Sequence, residues 1–296
     1  TGKHIAVIGG DARQLELIRK LVELGAKVSL VGFDQLDHGF TGATKSSSLE
    51  EALSDVDVII LPVPGTNDEG NVDTVFSNEK LVLTEELLEL TPEHCTIFSG
   101  IANPYLKELA KETNRKLVEL FERDDVAILN SIPTAEGAIM MAIEHTPITI
   151  HGSNVLVLGF GRTGMTLART LKALGANVTV GARKSAHLAR ITEMGLSPFH
   201  LSELAEEVGK IDIIFNTIPA LVLTKEVLSK MPPEALIIDL ASKPGGTDFE
   251  YAEKRGIKAL LAPGLPGKVA PKTAGQILAN VLSQLLAEDL IARKEN

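Results

Sequence analysis

A single cysteine, Cys95, and no tryptophan stand among 296 residues. One cysteine excludes an intramolecular disulfide and a multi-cysteine metal site. Set in the apolar run Cys95-Thr-Ile-Phe98, it reads as a small core residue rather than a nucleophile. Aromatic residues amount to 4%, too few for a base-stacking surface. Positive charge is short as well: 29 Lys and Arg against 39 Asp and Glu leave a formal charge of −10, which disfavours nucleic acid and anionic membrane as partners. Anionic ligands would need their counter-charge supplied locally, by helix N-termini and a few chosen Lys or Arg side chains. No continuous apolar run reaches the length of a membrane span. Thr1-Gly-Lys-His4 leads straight into a strand-like run, so no secretory leader is expected, and the cytosol is the expected compartment. The chain does have 44% hydrophobic content, ordinary for a globular protein, and a length that suits about two domains.

The most informative stretch is Val155-Leu-Val-Leu-Gly-Phe-Gly-Arg-Thr-Gly164. An apolar strand opens into Gly159, Gly161 and Gly164, helical spacing continues from Met165 to Leu174, and a second strand follows at Asn177 to Gly181. In that context the glycines have separate duties: Gly159 permits a tight turn, Gly161 lets a pyrophosphate approach the backbone, and Gly164 lets helix and strand pack closely. The helix N-terminus, with its unpaired N–H groups, faces the phosphates. Residues 159–164, including Phe160, Arg162 and Thr163, are thus candidate dinucleotide contacts. The strand at Asn177 runs into Ala182-Arg-Lys-Ser185, with no Asp or Glu to accept from a ribose 2′-hydroxyl. Arg183 and Lys184 with the Ser185 hydroxyl, which also caps the next helix, suit a 2′-phosphate and favour NADP over NAD.

The first half alternates apolar strands, at His4–Gly10, Ala26–Val31, Val56–Leu61, Thr96–Phe98 and Lys116–Leu120, with helical segments. Such alternation predicts a parallel doubly wound sheet. Gly9 and Gly10 are followed by Asp11, Ala12 and Arg13, without the third glycine, so a pyrophosphate is not provided for. Arg13 at the helix start suits a substrate carboxylate, or else is a solvated helix residue. Pro62–Thr66 and Ser99–Asn103 follow strand carboxyl ends and either line a cleft or serve as a stiff loop and a helix cap. The segment from Thr66 to Asn78 reads as loop.

Between the halves, Pro133 and Thr134 suggest the start of a long buried helix. Ser131, Thr134 and Glu136 would sit at its N-terminus as caps or substrate contacts. Beyond the glycine motif, Asn216-Thr-Ile-Pro219 ends a strand where the nicotinamide ribose should pass, so Thr217, Ile218 and Pro219 are cofactor candidates. Leu240 and Ala241 join them at the end of the strand Ala235–Asp239. Lys243 on the same loop would hold a substrate carboxylate or orient a proton donor. Pro263–Lys272 reads as a rigid loop carrying Lys268 and Lys272. Thr273 to Ala292 forms a final helix whose apolar residues, Ile291 among them, are core or a dimer interface. The expected architecture is α/β, with two doubly wound Rossmann-like domains, a cleft between them and a C-terminal helix crossing back to the first. The expected segments are 1–130 for a substrate domain, 131–150 for an interdomain helix, 151–272 for an NADP-binding domain and 273–296 for the closing helix.

Five stretches together resemble the dipicolinate synthase A-subunit family: Ala6–Gln14, Ser131–Gly137, Leu158–Gly164, Asp239–Ser242 and Pro263–Ala274. The resemblance covers essentially the whole chain. It implies NADP-dependent oxidation of dihydrodipicolinate to dipicolinate in the mother cell of a sporulating bacterium. It also implies a small dicarboxylate substrate and, for a partner, a second, flavoprotein-like B subunit; a homo-oligomer is expected too. A planar dicarboxylate needs two anion contacts, for which Arg13 and either Lys243 or Lys268 are candidates, with Lys243 and Lys268 the candidate catalytic residues. Two other readings stay open. One is a stand-alone dehydrogenase of the 2-hydroxyacid or alanine dehydrogenase type, although no histidine stands in the Pro263–Lys272 loop where the former carry their acid/base group. The other is a noncatalytic NADP-binding subunit, since no general base is evident.

Overall fold

A computed structural model describes residues 2–37 and 39–294, with side chains described to residue 289. The expected Ile291 packing and the last two residues of the closing segment therefore lie outside the described residues. The chain divides into two compact units, one of residues 1–127 with 271–296 and the other of residues 128–270.

The first unit contains β1 (His4–Ile8), α1 (Ala12–Glu23), β2 (Lys27–Val31), β3 (Ala43–Lys45), α2 (Leu49–Leu53) and β4 (Val58–Ile60). A small antiparallel pair, β5 (Asn71–Val72) and β6 (Leu81–Val82), precedes α3 (Glu85–Glu89), β7 (Thr96–Ser99), α4 (Pro104–Glu112) and β8 (Lys116–Glu119). Its six-stranded sheet has the order β3-β2-β1-β4-β7-β8, with every neighbour parallel. After α5 (Asp124–Glu144), the second unit runs through β9 (Asn154–Leu158), α6 (Arg162–Ala173), β10 (Asn177–Ala182), α7 (Ser185–Glu193) and β11 (Ser197–His200). It continues with α8 (Leu204–Glu207), β12 (Ile213–Asn216), α9 (Lys225–Ser229), β13 (Leu236–Asp239), α10 (Phe249–Lys254), β14 (Lys258–Leu261) and α11 (Leu265–Val269). Its sheet, β11-β10-β9-β12-β13-β14, repeats the first in order and direction. Two doubly wound units therefore stand where the strand–helix alternation requires them.

Both sheets are buried on both faces, as all-parallel sheets must be. In the first, Ile5 and Val7 pack under Leu17, Ile18 and Leu21 of α1, while Ala6 and Ile8 face the opposite core with Leu88 and Leu106. In the second, Val155 and Val157 pack against Leu167 and Leu171 of α6, and Leu156 and Leu158 against Val227 and Leu228. The closing helix, α12 (Pro271–Lys294), belongs to the first unit and packs on α1, with Leu278, Val281 and Leu282 in the same core as Leu17 and Leu21. Gly275 makes the approach possible, since a Cβ there would meet the Arg13 carbonyl oxygen at 2.5 Å. Lys3 and Asp289 close the contact with an ion pair of 2.8 Å.

Several expectations need correction. Helix α5 starts at Asp124, not near Pro133, and Pro133 sits inside it. The aspartates at its first turn suit the helix N-terminus, and apolar Val126 anchors that turn in the first unit's core. This is also the one described helix whose length and composition would let it cross a membrane. It escapes a count of unbroken apolar runs, and its Ala135, Ala138, Ile139 and Ala142 are core residues of the second unit. The stretch Pro263–Lys272 is not one loop: it holds α11 and the first two residues of α12. β3 and β11 were not foreseen because they are short edge strands with few apolar residues; in Ser197–His200 only Phe199 is buried.

Candidate functional site

The turn between β9 and α6 has the geometry that its glycines suggest. Gly159 has φ +94°, in the left-handed region, and a Cβ there would lie 2.3 Å from the Thr217 hydroxyl oxygen. At Gly164 a Cβ would fall 2.2 Å from the Gly159 carbonyl oxygen, so only glycine lets α6 sit this close to the turn. Gly161 is different: a Cβ there would meet nothing within 4 Å. Its smallness serves open space beyond the backbone. Gly161 is also the N-cap of α6 and makes no side-chain cap bond. A twelve-residue helix that starts behind an open glycine presents a positive dipole end to an anion.

The equivalent turn of the first unit is closed. Asp11 caps α1, its carboxylate accepting from the Arg13 N–H at 3.0 Å. The Asp11 side chain thus fills the cap position that a glycine holds in α6. A Cβ on Gly10 would lie 2.3 Å from the Gln14 side chain, which fills the space over the turn. The segment Asp73–Val75 covers it further: Gly10 N donates to the Asp73 carbonyl at 2.9 Å, and Val75 N to the Gly10 carbonyl at 3.0 Å. The stretch Thr66–Asn78, read as plain loop, carries this plug.

Arg183 and Lys184 are exposed at the carboxyl end of β10. Arg183 lines a cavity of about 240 Å³ with Leu201, Ser202, Leu221 and Val222, residues that follow β11 and β12; Glu206 and Glu226 line it too. Lys243 is exposed on the loop after β13, and Lys268 is exposed on α11. Arg13 is not a bare cation: its Nη2 pairs with the Asp11 carboxylate at 2.7 Å and its Nε donates to the same group. Burial pushes the Asp11 carboxyl up, but the hydrogen bonds and charge of Arg13 outweigh this and hold it below its ordinary value.

The family profile for the N-terminal domain of the dipicolinate synthase A subunit matches residues 4–121, and that for the alanine dehydrogenase/PNT C-terminal domain matches residues 130–295. The chain is 69% identical over 288 residues to the dipicolinate synthase A subunit of Bacillus subtilis (strain 168), covering 97% of each protein. It belongs to that family. The crystal structure of the Bacillus subtilis protein superposes with a TM-score of 0.94, covering 97% of each chain. The corresponding protein from Bacillus halodurans, at 64% identity, gives 0.93 over 97% of this chain and 98% of that one. An L-alanine dehydrogenase at 17% identity (TM-score 0.64, 94% and 87% covered) shares the fold. The second unit is accordingly a dehydrogenase-type, nicotinamide-binding domain.

Within this synthase architecture several assigned side chains do other work. Phe160 is 3% exposed and belongs to the core, its ring edge-on to His187. Ser185 is the first residue of α7, not its cap; Lys184 holds the cap position without a side-chain bond. The Thr217 hydroxyl donates to the Leu158 carbonyl at 2.7 Å and braces the glycine turn from below. Ser131 is buried inside α5, bonded to the Ile128 carbonyl and to Thr166 of α6 at 2.7 Å, so it ties two helices together. Thr134 donates back to the Asn130 carbonyl, and Glu136 is exposed well past the first turn. Because α5 starts ten residues before Thr134, none of the three caps it. In the first unit Asn103 caps α4, and Ser99 is fully buried, donating to the Ile101 carbonyl.

Sequence reasoning passed over Asn216 and Asp239, both fully buried at the ends of β12 and β13. The Asp239 carboxylate accepts from Asn216 Nδ2 and Ala241 N at 3.1 Å each, from Gly246 N at 2.8 Å and from the Thr247 hydroxyl at 2.6 Å. The available signal was a carboxylate ending an otherwise apolar strand, Leu-Ile-Ile-Asp239.

Proposed function

We propose that this protein is the NADP-dependent component of a dipicolinate synthase, which oxidises dihydrodipicolinate to dipicolinate. The observation that carries the reading is the pair of unlike turns: one open and glycine-lined at Gly161, the other plugged by Gln14 and capped by Asp11. A dinucleotide pyrophosphate suits the first and finds the second filled by Gln14 and the Asp73–Val75 segment. The residues fit NADP: the N–H groups of 161–164 meet the pyrophosphate, and the slot beside Arg183 suits an adenine with its 2′-phosphate on Arg183, Lys184 and Ser185. Since Glu206 and Glu226 also line that slot, binding of the phosphate depends on those two cations outweighing them. Ile218, Pro219, Leu240 and Ala241 contribute backbone to the nicotinamide side.

When bound, NADP+ supplies a hydride acceptor. The dihydropyridine ring gives up one hydride and one proton and becomes aromatic, so the demand on a protein base is small. Lys243 holds a substrate carboxylate or orients the group that takes the proton, with Lys268 as the alternative. Arg13, already oriented by Asp11, is a carboxylate contact. The name of the relative supports a second subunit, here read as flavoprotein-like; a homo-oligomer and the cytoplasm of a sporulating mother cell complete the reading. Assaying the chain with dihydrodipicolinate and NADP+, with and without the second subunit, tests it. Turnover of dihydrodipicolinate is expected; turnover of 2-hydroxyacids instead would overturn it.

A further inference from the structure

The loop that carries Lys243 is closed by the residue that begins it. Asp239 ends β13, the chain runs out through Leu240 to Gly245, and Gly246 N and the Thr247 hydroxyl return to the Asp239 carboxylate. The Ala241 N–H holds the outgoing limb to the same group. Asn216 links this ring to the neighbouring loop: its Nδ2 donates to Asp239 and to the Ile218 carbonyl at 3.1 Å each, and its Oδ1 accepts from Ile218 N at 3.0 Å. The backbone adds Leu240 N to the Asn216 carbonyl at 2.8 Å. Gly246 must be glycine, because a Cβ would lie 2.3 Å from the Asn216 amide nitrogen.

Four donors converge on one fully buried carboxylate, and all four are neutral. Burying a carboxylate without a cation is expensive, so a core built for stability alone would place an apolar residue here. Four donors also leave no place for an amide: the NH2 of an asparagine would face a donor. The arrangement demands an acceptor facing each donor and returns a loop of defined shape.

We infer that Asp239 is a positioning residue for the reaction: through Gly246, Thr247 and Asn216 it fixes the Lys243 loop and locks it to the 216–219 loop, so that both are presented as one rigid unit. This rests on the assignment of Lys243 to the substrate. The test is a double-mutant cycle between Thr247 and Lys243 in the full chain, with dihydrodipicolinate, NADP+ and, where needed for turnover, the second subunit. Thr247→Val removes one donor while keeping the shape, and is the usable variant where Asp239→Asn does not fold. Thr247→Val should lower kcat/KM on the order of tenfold, the worth of one hydrogen bond to a charged group. Thr247→Ser should restore it. In a Lys243→Ala background Thr247→Val should have no further effect, because both changes remove the same contact. Multiplying effects, or a Thr247→Val enzyme of wild-type kcat/KM, would overturn the positioning role while leaving Lys243 in place. A Lys243→Ala enzyme of wild-type kcat/KM would overturn the Lys243 assignment, and the inference with it.

Discussion

Gly161 and Gly164 are three residues apart in one motif, yet adding the same methyl group to each should have opposite consequences. At Gly164 a Cβ would stand 2.2 Å from the Gly159 carbonyl oxygen, a backbone atom that cannot turn aside. The helix or the turn must shift, and overpacking of this kind costs about 1–3 kcal/mol. For a domain of this size that lowers Tm by roughly 2–4 °C per kcal/mol. At Gly161 the φ is −82°, which alanine adopts freely, and no atom lies within 4 Å of the added carbon. Gly161→Ala should therefore fold with a Tm within about 2 °C of the parent, the small cost being alanine's poorer N-cap behaviour. Its methyl would instead stand in the space through which a pyrophosphate reaches the N–H groups of α6. Losing one or two hydrogen bonds to a charged group, at about 1.5–3 kcal/mol each, weakens binding by about 10- to 100-fold or more. Scanning calorimetry and titration calorimetry with NADP+ measure both quantities on the same samples. A Gly161→Ala protein that binds NADP+ like the parent would refute the reasoning, as would a Gly164→Ala protein with unchanged Tm.

Other outcomes follow from single side chains. Arg183→Ala should weaken NADP+ binding far more than NAD+ binding; equal losses by titration calorimetry would remove the 2′-phosphate from Arg183. Arg13→Ala should raise the apparent KM for substrate and leave NADP+ affinity intact, and unchanged steady-state kinetics would exclude it from substrate binding. Asp11→Asn keeps a good N-cap but loses the ion pair. Because the Asp11 carboxyl is held below its ordinary value, the stability it adds is present at neutral pH and fades as pH falls through that lowered value. The difference in Tm between Asp11→Asn and the parent should thus shrink on acidification, and a difference that grows would contradict the pair. Cys95 is 1% exposed and burial pushes its thiol up to about 11, so thiol reagents at neutral pH should label it only on unfolding. Rapid labelling of the native protein would show that core to be open.

How legible all this was depends on the residue. The parallel sheets could be read from runs such as Val155–Leu158 and Ile5–Ile8, because strands buried on both faces have to be apolar. The three glycines could be read because their neighbours in chain order are also the elements they join. A mostly exposed edge strand such as Ser197–His200 carries little apolar pattern and looks like loop. Pro133 misled because a proline reads as a helix start, yet here it sits buried in an α5 that begins nine residues earlier. The plug of Asp73–Val75 over Gly10 joins distant segments, and the donors around Asp239 are two backbone N–H groups and two side chains, one of them from another strand end. No local spacing encodes them. The same holds for Ser131, whose partner Thr166 lies 35 residues away.

The central claim is that this chain carries out a dehydrogenation with NADP+ as hydride acceptor. The direct measurement is the ratio of NADPH to dipicolinate formed from dihydrodipicolinate, with both subunits present and oxygen excluded. One NADPH should form for each dipicolinate, both falling together in Gly161→Ala. Dipicolinate formed without NADPH, and at undiminished rate in Gly161→Ala, would contradict it.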